Sequence, residues 1–411
     1  MAYSTPGVFD VFARVLAGGF RESNYVRLYT AGQAMFGRPG TGSFTVFSPN
    51  ANALDIEIVR ANQKLAALKP RGMVGRFVGP GNYDVQVNQG TMFSRAYPLI
   101  EEEFNLGADQ LNFRVIGSEG PYDNLTEADR LRILARYGYM ELVRRMVRLQ
   151  EVLAWQSLLL GVQSYQSTAD TTVNIYDWRR NSANTVTPSH GWGNSLGVPL
   201  TDLDSICDQL LFAGKVMPNF AVFGGTVMNY FLANPQITTV YANKLYFQLL
   251  RFGLDQKPDP QYDYLVEAGL KPWGVMMTPK GYELVIFTYP YMYDSATLDG
   301  TQTKAKFFDD TKVLVGSTES RNDRYFGPPE RLPLTAIEAS EMMERFAFNP
   351  ATPILPPNIE GDSQTVLPQM FYTDAYSSND RKHLTMRMQG APVFPTTQTD
   401  AWATLVVGTT S

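Results

Sequence analysis

Thiols and imidazoles are nearly missing from this chain: Cys207 is the one cysteine, and His190 and His383 are the only histidines among 411 residues. A single thiol excludes an internal disulfide and any zinc site built on paired thiolates, and two histidines exclude a histidine-rich metal cluster. Charge is sparse as well. Charged residues make up 18%, the formal net charge is −5 and like charges do not run together, which excludes a basic surface that captures nucleic acid without sequence preference. Nowhere do about eighteen apolar residues follow one another, so no segment reads as a transmembrane helix. The first stretch, MAYSTPGVFDVFARVLAGGF, has no basic leader before an apolar core, and the expectation is a protein that starts in the cytoplasm of the cell that makes it.

What is abundant is apolar surface, at 44%, and turn formers, with 33 Gly and 26 Pro. That composition suits a globular chain of two or three domains with long loops, large enough to bury its own cores. Thr5 and Pro6 suit the N-cap and first position of a short helix whose apolar face is Val8, Phe9, Phe12, Val15 and Leu16. With Arg14 and Arg21 as its nearby cations, that face is expected to pack on protein rather than on a membrane.

Residues 30–50 are rich in Gly, Ser and Thr and read as an extended arm. In ALDIEIV, Leu54, Ile56 and Ile58 alternate with Asp55 and Glu57, and in NYDVQV the alternation recurs through Tyr83, Val85 and Val87, so both read as half-buried strands. The turn-rich LKPRGMVGRFVGPG between them predicts one long hairpin, which needs a partner surface because a two-stranded projection is marginal alone. A helix of about 34 residues, about 50 Å long, is predicted from Thr126 as N-cap to Gly161 as its stop. Leu131, Leu134, Leu142, Met146, Leu149, Leu153 and Leu160 form its apolar positions, while Arg132, Arg136, Arg144, Arg145 and Arg148 spread over other faces. Two readings of the arginines stand: a solvated face with local pairs such as Glu141 to Arg145, or contact with acidic groups of a neighbouring subunit. Residues 164–200 read as a loop or ragged hairpin. From TDLDSICDQLLFAG onward the pattern turns α/β: a helix ending near Gly214, strand NFAVFGG, helix TVMNYFLANP, then strands GVMMT, YELVIFTYPYMY and TKVLVGST. A proline-rich stretch at 350–370 precedes closing strands around HLTMRMQGAPVF and AWATLVVG.

The chemical motifs are weak. GRPGTGS, Gly37 to Ser43, has the glycine spacing of a phosphate loop but lacks its lysine. GNSLG, Gly193 to Gly197, fits a nucleophile elbow with Ser195, but that motif needs a strand before it and a helix after it, and TPSHGW and VPLTD look like loop. His190 and His383 are the histidines a serine triad would have to use. Glu101 to Glu103 are consecutive, so on a strand they split between faces and form no paired site. The 22 Tyr and 24 Phe lack the accompanying positive charge of a base-stacking surface. Gly224–Gly225, with only Thr226 beside it, reads as a tight turn rather than a phosphate cradle. No catalytic, cofactor or metal site is expected.

Several stretches, in order, resemble the major capsid proteins of tailed bacteriophages, the lambda-like family with the Hong Kong 97 (HK97-like) capsid fold. ALDIEIVRANQKLAALKPRGMVG is similar to the family's extended loop. YPLIEEEFNLGADQLNFRVIGSE is similar to the lead into its spine helix. LVRRMVRLQEVLAWQSLLLG is similar to the end of that helix, with Glu151 as its acidic residue. GKVMPNFAVFGGTVMNYFLANP is similar to an axial-domain segment, and RYFGPP and LTMRMQGAPVFPTTQTDAWATLVV to closing peripheral-domain strands. The likeness covers about 50–335 and 380–408; residues 337–380 exceed the family pattern and the first 50 match nothing in it.

The resemblance implies an α+β, HK97-like capsid fold: an N-terminal arm at 1–50, an extended β-hairpin loop at 51–90, a peripheral domain at 91–200 with a spine helix at about 127–160, an axial domain at 201–310, and a return to the peripheral domain at 311–411 with an insertion at about 337–380. It implies a virion shell subunit without cofactor, assembled in the host cytoplasm as hexamers and pentamers around double-stranded DNA that it does not read by sequence. Scaffolding, portal and decoration proteins are the further partners it implies. Lys69, Arg71 and Arg76 on the loop, and Arg144, Arg145, Arg148 and Glu151 on the helix, are the candidate subunit contacts. An encapsulin-like nanocompartment shell is the alternative within the fold, and a serine hydrolase using Ser195 is the alternative from another class.

Overall fold

A computed structural model describes residues 30–38, 41, 43–47, 53–56, 93–96, 99–107, 127–166, 173–242, 260–296, 302–327, 372–377 and 383–408. Its helices are α1 (Ala31–Ala34), α2 (Glu127–Leu160), α3 (Pro199–Ala213), α4 (Gly225–Ala233), α5 (Pro235–Ala242) and α6 (Asp263–Glu267). The predicted amphipathic helix around Val8 to Leu16 and the insertion at 337–380 lie outside the described residues, apart from strand residues at 372–377.

The apolar run FAVF is buried at every position, Phe220–Phe223. Phe220 and Val222 join one core with Trp155 and Trp402, while Ala221 and Phe223 join a second with Leu203 and Phe231. Side chains of a strand alternate, so a continuous apolar run marks a strand covered on both faces. This strand lies inside a six-stranded mixed sheet in the order Thr185–Val186, Ala403–Val406, Lys312–Gly316, Phe220–Phe223, Glu283–Thr288, Lys271–Met277. Helices α3 and α4 cover one face; the end of α2, α1 and α6 cover the other. The sheet takes Lys312–Gly316 and Ala403–Val406 as antiparallel neighbours, so the division expected at residue 310 is not a boundary of this sheet.

A second, three-stranded sheet runs Tyr372–Ser377, His383–Gly390, Ile100–Gly107, and α2 packs across it. The helix has the expected 34 residues and stops at Gly161, whose φ of +67° is left-handed and open to glycine. Its last carbonyls are tied down by Arg180, which donates from Nη1 to Leu158 O at 2.8 Å and from Nη2 to Leu159 O at 2.6 Å. Leu142, Met146 and Leu153 are buried as expected, but Leu149 and Leu160 stand half exposed.

Two expectations are corrected. Among the described residues strand Ala53–Ile56 takes Phe93–Ala96 as its antiparallel partner; the stretch around Tyr83 to Val87, the expected partner strand, lies outside them. The hairpin base therefore reaches beyond residue 90. The arm is also not extended throughout: α1 is helical, Ala31, Met35 and Phe36 are buried in the first core, and Thr45–Phe47 adds in parallel to Arg324–Phe326. Apolar Ala31, Met35 and Phe36 carry this docking, hidden in the sequence by the Gly, Ser and Thr around them.

Candidate functional site

Glu151 lies on α2 and is completely buried. Its carboxylate accepts from the backbone N–H of Gly32 at 2.7 Å, the backbone N–H of Gln33 at 3.1 Å and Trp155 Nε1 at 2.8 Å. Gln33 adds a bond from Nε2 to Val147 O at 2.9 Å. One acidic side chain thus satisfies the first amides of α1, which have no partner inside a helix of this length. Burial pushes the carboxyl up to about 7 although the amides of Gly32 and Gln33 and the Trp155 indole favour its anion. Burial and the Glu151 charge also push the Tyr289 hydroxyl well above its ordinary range. Glu151 is therefore an internal latch that holds the arm to the spine, and the expectation that it touches a neighbouring subunit is corrected: no part of it reaches the surface.

The arginines separate. Arg145 is exposed and lies 3.4 Å from Glu141 and 3.3 Å from Glu102, so the local pair predicted from the sequence forms and a strand carboxylate joins it. Arg144 is half buried, 3.8 Å from Glu141. Arg148 is exposed and has no ion pair among the described residues, with half-exposed Leu149 beside it. Lys69, Arg71 and Arg76 lie outside the described residues. Glu101 to Glu103 split between faces as a strand requires: Glu102 meets Arg145, and Glu101 turns to Arg387 at 3.8 Å.

Ser195 stands exposed in a turn with no hydrogen-bond partner among the described residues. The loop expected before it runs from residue 187, so strand Thr185–Val186 does not lead into it, but VPLTD is not loop as expected, because α3 starts at Pro199. The glycines of GNSLG have a packing reason. A Cβ on Gly197 would fall 2.6 Å from Gly191 O, and Asn234 Nδ2 donates to Trp192 O and Gly197 O, both at 3.1 Å, fastening the loop over Trp192. In GRPGTGS, Arg38 lies over the Tyr264 ring at 4.1 Å and donates to Thr318 O, and a strand follows rather than a helix. At Gly224–Gly225 the protein fills the turn itself: Asp310 Oδ1 accepts from Gly225 N at 3.1 Å, and a Cβ on Gly224 would sit 2.4 Å from Asp310 O. Among the described residues no group of three His, Cys, Asp or Glu could hold a metal, and no helix is long and apolar enough to cross a membrane.

What the surface offers is contact area. Among the described strands Lys271–Met277 is an outer edge of the large sheet, and Trp273 and Met277 stand exposed on it. Phe212 and Met217 project at the end of α3, and Leu196 and Val198 before its start. An unpaired edge with exposed apolar side chains is a template for another chain. Sequence reasoning missed these residues because each lies in an ordinary α or β pattern whose outer face only the sheet order identifies. It missed Arg180, Asp310 and Asn234 because their partners are backbone groups far along the chain.

The family model described as phage major capsid protein E matches residues 50–407. No curated protein matches the sequence. Among solved structures, an Escherichia coli prophage protein assigned to the capsid is 13% identical, with 99% of this chain and all 100% of that chain covered and a TM-score of 0.57; the two share a fold. A phage-related protein of Bordetella bronchiseptica is 12% identical, with 96% and 95% covered and a TM-score of 0.42. An encapsulin of Synechococcus elongatus is 11% identical, with 97% and 95% covered and a TM-score of 0.41.

Proposed function

This chain belongs to the phage major capsid protein E family and is a shell-forming structural protein of the virion with the HK97-like α+β fold, and from that premise we propose that its copies assemble in the host cytoplasm as hexamers and pentamers of a closed icosahedral head around double-stranded DNA. The observation that carries this is the family match over residues 50–407, which runs from the start of the loop to the last strand. The peripheral part is built on α2 and the three-stranded sheet, and the axial part on the large sheet with α3 and α4. Arg145 and Arg148 on α2 and Lys69, Arg71 and Arg76 on the loop serve as contacts to acidic groups of neighbours, with Arg144 a weaker candidate because it is half buried. The exposed edge Lys271–Met277 adds apolar contact area between copies. The modest negative charge suits a wall that encloses DNA without holding it. Scaffolding, portal and decoration proteins are its further partners, and Ser195 has no catalytic part.

Electron microscopy of the purified protein and of the producing cells' lysate, with sedimentation velocity alongside, tests the assembly. Closed shells or regular capsomers are expected; a species that stays monomeric at high concentration, even with the other head proteins present, refutes it. Shells that hold a protein cargo and no DNA would favour the nanocompartment. For Ser195, no labelling by a fluorophosphonate is expected, and labelling lost in Ser195→Ala would establish the hydrolase reading instead.

A further inference from the structure

A groove of about 510 Å³ runs beside the carboxy-terminal part of α2. Val152, Trp155, Leu159 and Leu160 of the helix, with Gln156 among them, form one wall, and Tyr293 of the hairpin Met292–Ala296 and Gln302–Lys306, with Phe307 just after it, form the other. Leu160 is 47% exposed there, a large apolar side chain left to water. The charges at the rim cancel in pairs: Lys306 bonds Asp310, and Lys312 lies 2.9 Å from Asp309. No unpaired charge at that rim invites a small ion. A trough of mixed lining, with Leu160 exposed on one wall and self-neutralised edges, is the kind of surface the apolar face and polar flank of an amphipathic helix fill.

One end of the described chain lies against it. Gly32 is packed so closely on Trp155 that a Cβ would fall 3.0 Å from its Nε1, and the same indole lines the groove. Residues 1–29 precede this point, and within them Thr5 to Leu16 read as an amphipathic helix with Val8, Phe9, Phe12, Val15 and Leu16 on one face. Such a helix is about 18 Å long. Residues 17–29 can span up to about 45 Å when extended, ample for a return to a site beside the arm's own anchor. A helix this short is marginal in water and gains its stability from the apolar face it buries, and a tether to the anchor gives it a high effective concentration at that face.

We propose that residues 5–16 dock as a helix into this groove of their own subunit, covering Leu160 and the groove side of Trp155. The docking needs no neighbour, so it precedes assembly and stands independently of the shell reading. Disulfide trapping in the dilute full-length subunit tests it, with Phe12→Cys combined with Leu160→Cys. Native Cys207 does not interfere, being buried, with its thiol pushed up to about 12 by burial and the charges of Asp204 and Asp208. An intrachain disulfide is expected. None is expected when Phe12→Cys is combined with Phe212→Cys on α3, which covers the opposite face of the sheet. Hydrogen exchange supplies a second readout: removing residues 1–20 should expose amides around Phe307, a synthetic peptide of residues 1–20 should protect them again, and Leu160→Asp should abolish that protection. Disulfides formed only between chains would overturn docking within the subunit in favour of exchange between copies. Protection lost on removal of residues 337–380 but not of 1–20 would assign the groove to that segment and overturn the proposal. Absence of the disulfide together with unchanged exchange would refute the helix in the groove and leave the family assignment untouched.

Discussion

At Glu151 two forces oppose each other. The amides of Gly32 and Gln33 and the Trp155 indole favour the anion, while complete burial disfavours it more and holds the carboxyl at about 7 rather than near 4.5. A folded-state pKa above the unfolded one means that the native chain binds the proton more tightly. The stability this adds is fully present below about 4.5 and is lost as pH rises through about 7. Unfolding midpoints should therefore fall between pH 5 and pH 8, by the equivalent of about 2–3 kcal/mol. Glu151→Gln, a neutral mimic of the protonated acid, should flatten that dependence, and urea titrations of both proteins at the two pH values check it. An equal slope in the variant would place the titration elsewhere. Glu151 could be singled out in the sequence as an acidic residue on an otherwise apolar helix end, but its role could not, because its partners are backbone amides of an arm more than a hundred residues earlier. Arg180 shows the same limit. Burial lowers its pKa to about 10, against the favourable charge of Asp400, yet it stays charged at neutral pH and caps α2. Arg180→Ala leaves Leu158 O without its donor and deprives Leu159 O of one of two, and should cost about 2–3 kcal/mol, read as a lower unfolding midpoint; an unchanged midpoint would show that water replaces the cap.

The spine helix was legible from end to end, because its signals are local: a Thr before an apolar periodicity and a glycine at the one position where the backbone turns left-handed. The strand Phe220–Phe223 was legible for the same reason, as an unbroken apolar run. Pairing was not, because register is chosen by surfaces that meet only in the fold, and so the partner of Ala53–Ile56 and the sheet's use of Lys312–Gly316 and Ala403–Val406 had to come from the structure. Gly138 shows how the helix meets the second sheet. A Cβ there would lie 2.4 Å from Phe104 Cδ1 and 3.0 Å from its Cγ, so the strand Ile100–Gly107 approaches the helix where a side chain is missing. Alanine gains about 1 kcal/mol of helix propensity, but forcing the ring aside costs about 1–3 kcal/mol. Gly138→Ala should therefore destabilise by about 1 kcal/mol net of the two. A stabilised variant in thermal unfolding would show that Phe104 yields freely and that the contact is loose.

At the scale of the whole molecule, stability and assembly separate along the chain. Among the described residues both buried cores are built from residues 31–36 and from residue 153 onward, while the hairpin strands Ala53–Ile56 and Phe93–Ala96 form a two-stranded sheet of their own. A two-stranded sheet is marginal alone, so in a chain of a shell-forming family the loop is expected to find its partner surface on another subunit. Deleting residues 62–82, which removes Lys69, Arg71 and Arg76 together, should leave a folded subunit with an unfolding midpoint close to that of the full chain, because every described core residue is kept and shortening the loop changes its closure entropy little. The same deletion should abolish closed shells in electron micrographs and leave monomers or capsomers in sedimentation. Normal shells from that variant would move the lateral contacts to the spine arginines and the edge Lys271–Met277. A misfolded subunit would mean instead that the loop supports its own subunit and not its neighbours.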